Sequence, residues 1–267
     1  MKKVSFLVLA FFLSSVLYSQ TIEMSDVMLK TKLDSILVEG NLLYHYEKSA
    51  WISTDLAMEN PIIKEDYSGF FVYQDLAVIK VIILGKKNQN CIAEYSFEHD
   101  FSKPKSTVIE GRELSPKEQD LLNIRKKILK SVSKKKYELK IPDGYRPNFV
   151  LLPNAEKFKL YIIMGTSQND VIPFGNDYLF ITDKFGNIET WQKFHSRIIP
   201  GYTKIDGNKV TAFTHSHLRT TPLITATDIC SFMLYAPLYD INEFSVYSPA
   251  IGKYMKYNFK ENKITIN

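Results

Sequence analysis

Residues 213–228 read FTHSHLRTTPLITATD, and they close one element and open another. KVTAFTHSH, residues 209–217, reads as a strand, being β-branched and apolar up to the two histidines. TATDICSFMLY, residues 225–235, reads as a helix, with Thr225 and Asp228 at capping-box spacing. Residues two apart on a strand share a face, so His215 and His217 present their imidazoles together while Ser216 points away. Asp228 follows His217 by eleven residues and sits in the first helical turn, where the intervening loop can return its carboxylate to the imidazoles. Two same-face histidines and a carboxylate, all on rigid elements, form most of a metal-ligand set. A capping box alone accounts for Thr225 and Asp228 without any metal. It leaves the histidine pair unexplained.

Outward from this stretch, the second half of the chain reads as mostly antiparallel β with one inserted helix. FVLLP and KLYIIMG flank the turn NAEK, and YLFITD and IETWQKF flank KFGN, as two hairpins. EFSVYSP, KYMKYNF and KITI are closing strands. The turn-rich IPDGYRP, residues 141–147, marks a boundary. Residues 20–140 form an N-terminal α+β region and residues 141–267 a second domain.

In the N-terminal region Leu29, Leu33, Ile36, Leu37 and Leu43 recur at helical spacing behind Ser25 or Asp26 as N-cap, predicting about five turns. The aromatic and polar run YHYEKSAWISTD follows, with Trp51 as an anchor over the core. GFFVYQD, VIKVIILGKKNQ and CIAEYSFEHD then form an antiparallel meander. Ser115, Pro116 and Glu118 open a second helix through a capping box with proline at its first position. Arg125, Lys126, Lys127, Lys130 and Lys134–Lys136 gather toward its C-terminal end, where cations complement the helix dipole and are solvated.

MKKVSFLVLAFFLSSVLYSQ, at the start of the chain, has the basic, apolar and small-polar order of a secretory signal peptide, with cleavage expected after residue 19. The expected location is therefore secreted or periplasmic, with no stable membrane anchor after cleavage. No later run approaches the ~20 apolar residues a spanning helix needs. The chain carries 34 Lys and Arg against 29 Asp and Glu, a net charge of +5. Loss of Lys2 and Lys3 leaves 32 against 29, or +3. So mild a charge, with no aromatic residues interleaved among the cations, argues against nucleic acid as a partner. Cys91 and Cys230 are the only cysteines, and the sequence leaves open one disulfide or two buried thiols.

His-Ser-His, seven residues, then Thr-x-x-Asp resembles the JAMM (JAB, MPN) metalloprotease motif. The resemblance covers roughly residues 156–250 and implies an α+β fold of the JAMM/cytidine-deaminase-like kind. It implies zinc held by His215, His217 and Asp228, with Thr225 in the family's serine position steadying an oxyanion. The zinc would bring the pKa of a bound water toward neutrality for hydrolysis of an amide, peptide or isopeptide bond in a peptide or protein substrate. An upstream glutamate would move the proton. Leu218 replaces the proline that often follows the second histidine, and no Glu-x-x-Gly stretch lies upstream. Glu156, in a hairpin turn, and Asp177, at a strand start, are equal candidates for the base, with Glu189 third. His195 stands near Lys193 and Arg197 and reads as a surface residue, with a fourth ligand or a substrate contact as the alternative. Segments such as VIPFGNDYLFITDKFGN are similar to those of a set of secreted bacterial proteins. The rival expectation is a non-catalytic secreted binding protein with a structural or vestigial metal site.

Overall fold

A computed structural model describes residues 24–87 and 90–267. The expected signal peptide falls on residues outside that range. Helix α1, Asp26–Glu59, is capped by the Ser25 hydroxyl and runs far past the five turns its leucines predict. YHYEKSAWISTD is helical because Tyr46, Ala50, Ser53 and Ala57 prolong the buried stripe. The helix ends where Pro61 disfavours an α conformation at Asn60, whose side chain instead caps the short α2, Pro61–Asp66.

Strands β1 (Tyr67–Asp75), β2 (Val78–Gly85), β3 (Cys91–Phe97) and β4 (Ser106–Val108) form the expected antiparallel meander in sequence order. Helix α3, Pro116–Val132, has the full Ser115–Glu118 capping box. A second antiparallel sheet has the order β5-β6-β8-β9: β5 (Tyr145–Asn154), β6 (Lys157–Thr166), β8 (Tyr178–Asp183) and β9 (Ile188–Lys193). Between them in sequence lies β7 (Val171–Gly175), which pairs with β10 (Ile198–Tyr202). The small hairpin β11 (Lys204–Ile205) and β12 (Asn208–Lys209) leads to β13, Ala212–Ser216. Helix α4, Ala226–Tyr235, then crosses to β14, Glu243–Ser248, which lies parallel to β13. Strands β15 (Lys253–Asn258) and β16 (Lys263–Ile266) complete that sheet in antiparallel fashion. The fold is α+β, as the element order predicts.

Helix α1 binds these layers together. Its Leu43, Tyr46 and Ala57 share one hydrophobic cluster with Val81 and Tyr95 of the first sheet, Val150 and Tyr161 of the second, and Cys230 of α4. Leu29 and Leu33 join a second cluster with Phe174 of β7, Ile229 and Phe232 of α4, and Phe244 and Tyr257 of the third sheet. The cores therefore run across the boundary expected at residue 140. Gly40 permits the closest approach: a Cβ there would lie 2.8 Å from the Ile229 Cβ and 3.2 Å from the Ala226 carbonyl oxygen. Helix α3 covers the outer faces of the first two sheets with Leu122 and Ile128. Cys91 and Cys230 are buried free thiols in different clusters. Among the described residues no helix is long and apolar enough to cross a membrane.

Candidate metal centre

Three segments converge beside the N-terminus of α4. Strand β13 carries His215 and is followed directly by His217, whose N–H continues the parallel pairing by donating to the Tyr247 carbonyl at 2.9 Å. The Thr225–Asp228 capping box fixes the carboxylate: Asp228 Oδ2 accepts from the Thr225 N–H at 2.9 Å and the Thr225 hydroxyl at 2.7 Å. The third segment, between β9 and β10, carries His195. It is held by the β7–β8 turn, where Gly175 has φ +80° and a Cβ would lie 2.4 Å from the Arg197 carbonyl oxygen. The Asn176 N–H donates to that oxygen, and the Phe194 N–H donates to the Asp177 carbonyl.

This packing gathers His195, His215, His217 and Asp228, with one potential ligand atom of each all within 4.8 Å of one another. Nε2 of His217 lies 2.9 Å from Nε2 of His195 and 3.2 Å from Nε2 of His215. Asp228 Oδ1 is 3.5 Å from His195 Nε2 and 3.4 Å from His215 Nε2, and Oδ2 is 3.2 Å from His217 Nε2. Donors bound about 2.0–2.1 Å from a tetrahedral ion stand roughly 3.3–3.4 Å apart, so the spacing suits one small cation. His195, His217 and Asp228 are 2%, 4% and 1% exposed, so water does not compensate their polar atoms.

The outer hydrogen bonds set the tautomers. His217 Nδ1 faces the Thr221 carbonyl at 3.1 Å, and a carbonyl only accepts, so Nδ1 carries the proton. His195 Nδ1 faces Asp177 Oδ1 at 2.7 Å and carries a proton for the same reason. In neutral rings both Nε2 lone pairs then point at each other, and they do so beside Asp228 Oδ1, a buried carboxylate oxygen with no hydrogen-bond partner. Such a group could hold a cation at its centre. Without a metal that cation is a proton: burial opposes charge on His195, but Asp177 and Asp228 outweigh it and raise its pKa to about 9. Burial keeps His215 below its ordinary value. Burial would also raise the Asp228 pKa, but His195 and His217 hold it well down. One proton relieves one close contact, whereas a metal ion engages all four lone pairs. Three imidazoles and one carboxylate suit a borderline transition ion better than calcium or magnesium.

Asp177 does not face the donors. It lies behind His195, and its Oδ2 accepts from the Thr227 hydroxyl, which contacts Thr225 Oγ1 at 2.9 Å. Each carboxylate thus accepts from one of two adjacent threonine hydroxyls, and a carboxylate behind a ligating histidine is a common outer support of metal sites. The Thr225 hydroxyl is occupied by Asp228 and Thr227. Glu156 is exposed in the β5–β6 turn and does not belong to the group. Glu189 is an exposed residue of β9 paired with Lys157 at 2.6 Å. His195, read from its basic neighbours as a surface residue, is instead the fourth member. The signal for it was the apolar flank, Phe194 on one side and Ile198–Ile199 on the other.

No protein-family model, curated protein or solved structure matches this chain.

Proposed function

We propose that the protein binds zinc at His195, His215, His217 and Asp228, and that the ion is structural, fastening the β9–β10 segment, β13 and α4 to one another. The observation that carries this reading is the position of His195, which takes the fourth corner that a hydrolytic centre leaves open for water. His215, His217 and Asp228 stand at the ligand positions of the JAMM-like motif, while among the described residues the motif's base has no counterpart facing the donors. A zinc ion bound there supplies a rigid cross-link between segments distant in sequence. The leader-like residues 1–19 support export, so we infer a non-catalytic zinc protein of the periplasm or the cell exterior.

A second reading has one observation in its favour. The Asp177–His195 pair is arranged like a carboxylate-oriented imidazole base. In that reading zinc uses three ligands, and His195 serves an exported amide or peptide hydrolase by taking a proton from water. Metal analysis separates the two. The structural reading expects one zinc per chain in the parent protein and severe loss in His215→Ala, Asp228→Asn and His195→Ala. Zinc retained in His195→Ala, with peptide hydrolysis present in the parent and absent in the variant, would establish the hydrolase instead. No zinc in the parent after metal-replete expression ends both.

A further inference from the structure

A second polar feature lies away from the metal centre. Glu47 of α1 is only 9% exposed, and its carboxylate opens onto a cavity of about 210 Å³ walled by Trp51, Phe70, Asn148, Leu234 and Tyr235. The Asn148 amide donates to Glu47 Oε2 at 2.6 Å. The lining itself contains no cation, and the Lys48 Nζ stands over the Trp51 ring, 5.5 Å from its centroid. Arg125 of α3 acts on Glu47 through space but lines a neighbouring cavity with Phe71 and Leu121. A carboxylate in such surroundings is costly to ionise, because little replaces the water it has lost. The Trp51 and Tyr235 rings stand 5.7 Å apart, centre to centre, and are tilted by 44°, so aromatic surface lies next to the acid.

We propose that this cavity binds a small alkylammonium group, with the ammonium on Glu47 and the Trp51 and Tyr235 rings and the alkyl chain against Phe70 and Leu234. Each part of the wall matches part of such a ligand. The carboxylate gains a cation in direct contact, which the cavity wall does not supply, and aromatic faces attract cations most strongly when both are desolvated. The Asn148 amide holds the acid in place. The cavity has room for an amine of a few carbons, since about 150 Å³ already accommodates benzene. Arg125, in the neighbouring cavity, moderates the attraction through space and does not line this cavity. The site is distinct from the metal centre, and its occupancy does not depend on which ion that centre holds.

The test is a calorimetric and NMR titration of the purified protein with n-butylammonium chloride at about pH 8, where Glu47 is ionised and the amine remains charged. Saturable binding is expected, about tenfold tighter than that of 1-butanol, with shifts at the Trp51 indole. Glu47→Gln, folded as judged by unchanged signals from the third sheet, is expected to weaken binding about tenfold, and Trp51→Leu to weaken it as well. Should Glu47→Gln not fold, Trp51→Leu and Asn148→Ala carry the test. Equal affinity for 1-butanol, parent affinity in the folded variants, or no saturable binding overturns the proposal.

Discussion

At the scale of single residues, two buried acids behave in opposite ways. Asp228 is held ionised by the histidines around it, whereas Glu47 is pushed toward neutrality. Burial lifts the Glu47 pKa from an ordinary 4.5 to about 7, against the smaller opposing pulls of Asn148 and Arg125. The folded protein therefore keeps a proton that the unfolded chain has released. Stability from this group is fully present below pH 4.5 and declines as pH rises to about 7, by at most about 3 kcal/mol. Urea midpoints at about pH 5 and 8 are expected to differ in that direction, with Glu47→Gln flattening the difference; an unchanged pH slope in the variant would place the effect elsewhere. Asp177 offers a second residue-level prediction. It touches the proposed ligand His195 and not the ion, so Asp177→Asn should weaken zinc binding roughly 10–100-fold without abolishing it. Competition with a chromophoric chelator measures this, and parent affinity in the variant would remove Asp177 from the centre.

At the scale of elements, α4 is held from three sides. Its capping box holds Asp228 of the proposed metal centre, its apolar residues join both large clusters, and Gly40 of α1 lies against Ile229 and the Ala226 carbonyl. Alanine is ordinarily the better helix former by about 1 kcal/mol. Here the added methyl meets another helix, and overpacking of this kind costs about 1–3 kcal/mol. Gly40→Ala is therefore expected to lower the thermal midpoint and, by shifting the N-terminus of α4, to weaken zinc binding. A higher midpoint with unchanged zinc affinity would show that the two helices separate without strain. The same junction explains why the length of α1 was hard to read. Hydrophobic periodicity identifies a helix that has one wet face, and α1 is packed against sheets and a helix on several sides, so its buried residues past Leu43 include Glu47, Ser49 and Ser53.

At the scale of the whole molecule, the proposed ion joins segments that are distant in sequence and belong to different sheets. His195 lies just beyond β9, while His217 opens the crossover between the parallel strands β13 and β14 and Asp228 lies in the crossover helix α4. An ion present at a thousand times its dissociation constant adds about 4 kcal/mol of stability, which for a chain of this size raises the midpoint by about 10 °C. Chelation should remove that increment, and addition of zinc should restore it. The same chelator should leave the midpoint of the Asp228→Asn variant unaltered. An equal fall in both proteins would mean that the stabilising metal binds elsewhere.

Local patterns determined much of this protein. Both capping boxes, the antiparallel hairpins and the strand-to-helix step around His215, His217 and Asp228 follow from spacings of a few residues, over which backbone geometry alone decides what faces what. Tertiary packing decided the rest. The burial of His195, the placement of Asp177 behind it, the exposure of Glu156 and Glu189, the separation of Cys91 from Cys230 and the burial of Glu47 all depend on contacts between elements far apart in the chain. A histidine among basic neighbours reads the same whether a sheet covers it or not. Gly175 and the β7–β8 turn, by bringing a carboxylate up behind that ring, place it with the other three side chains.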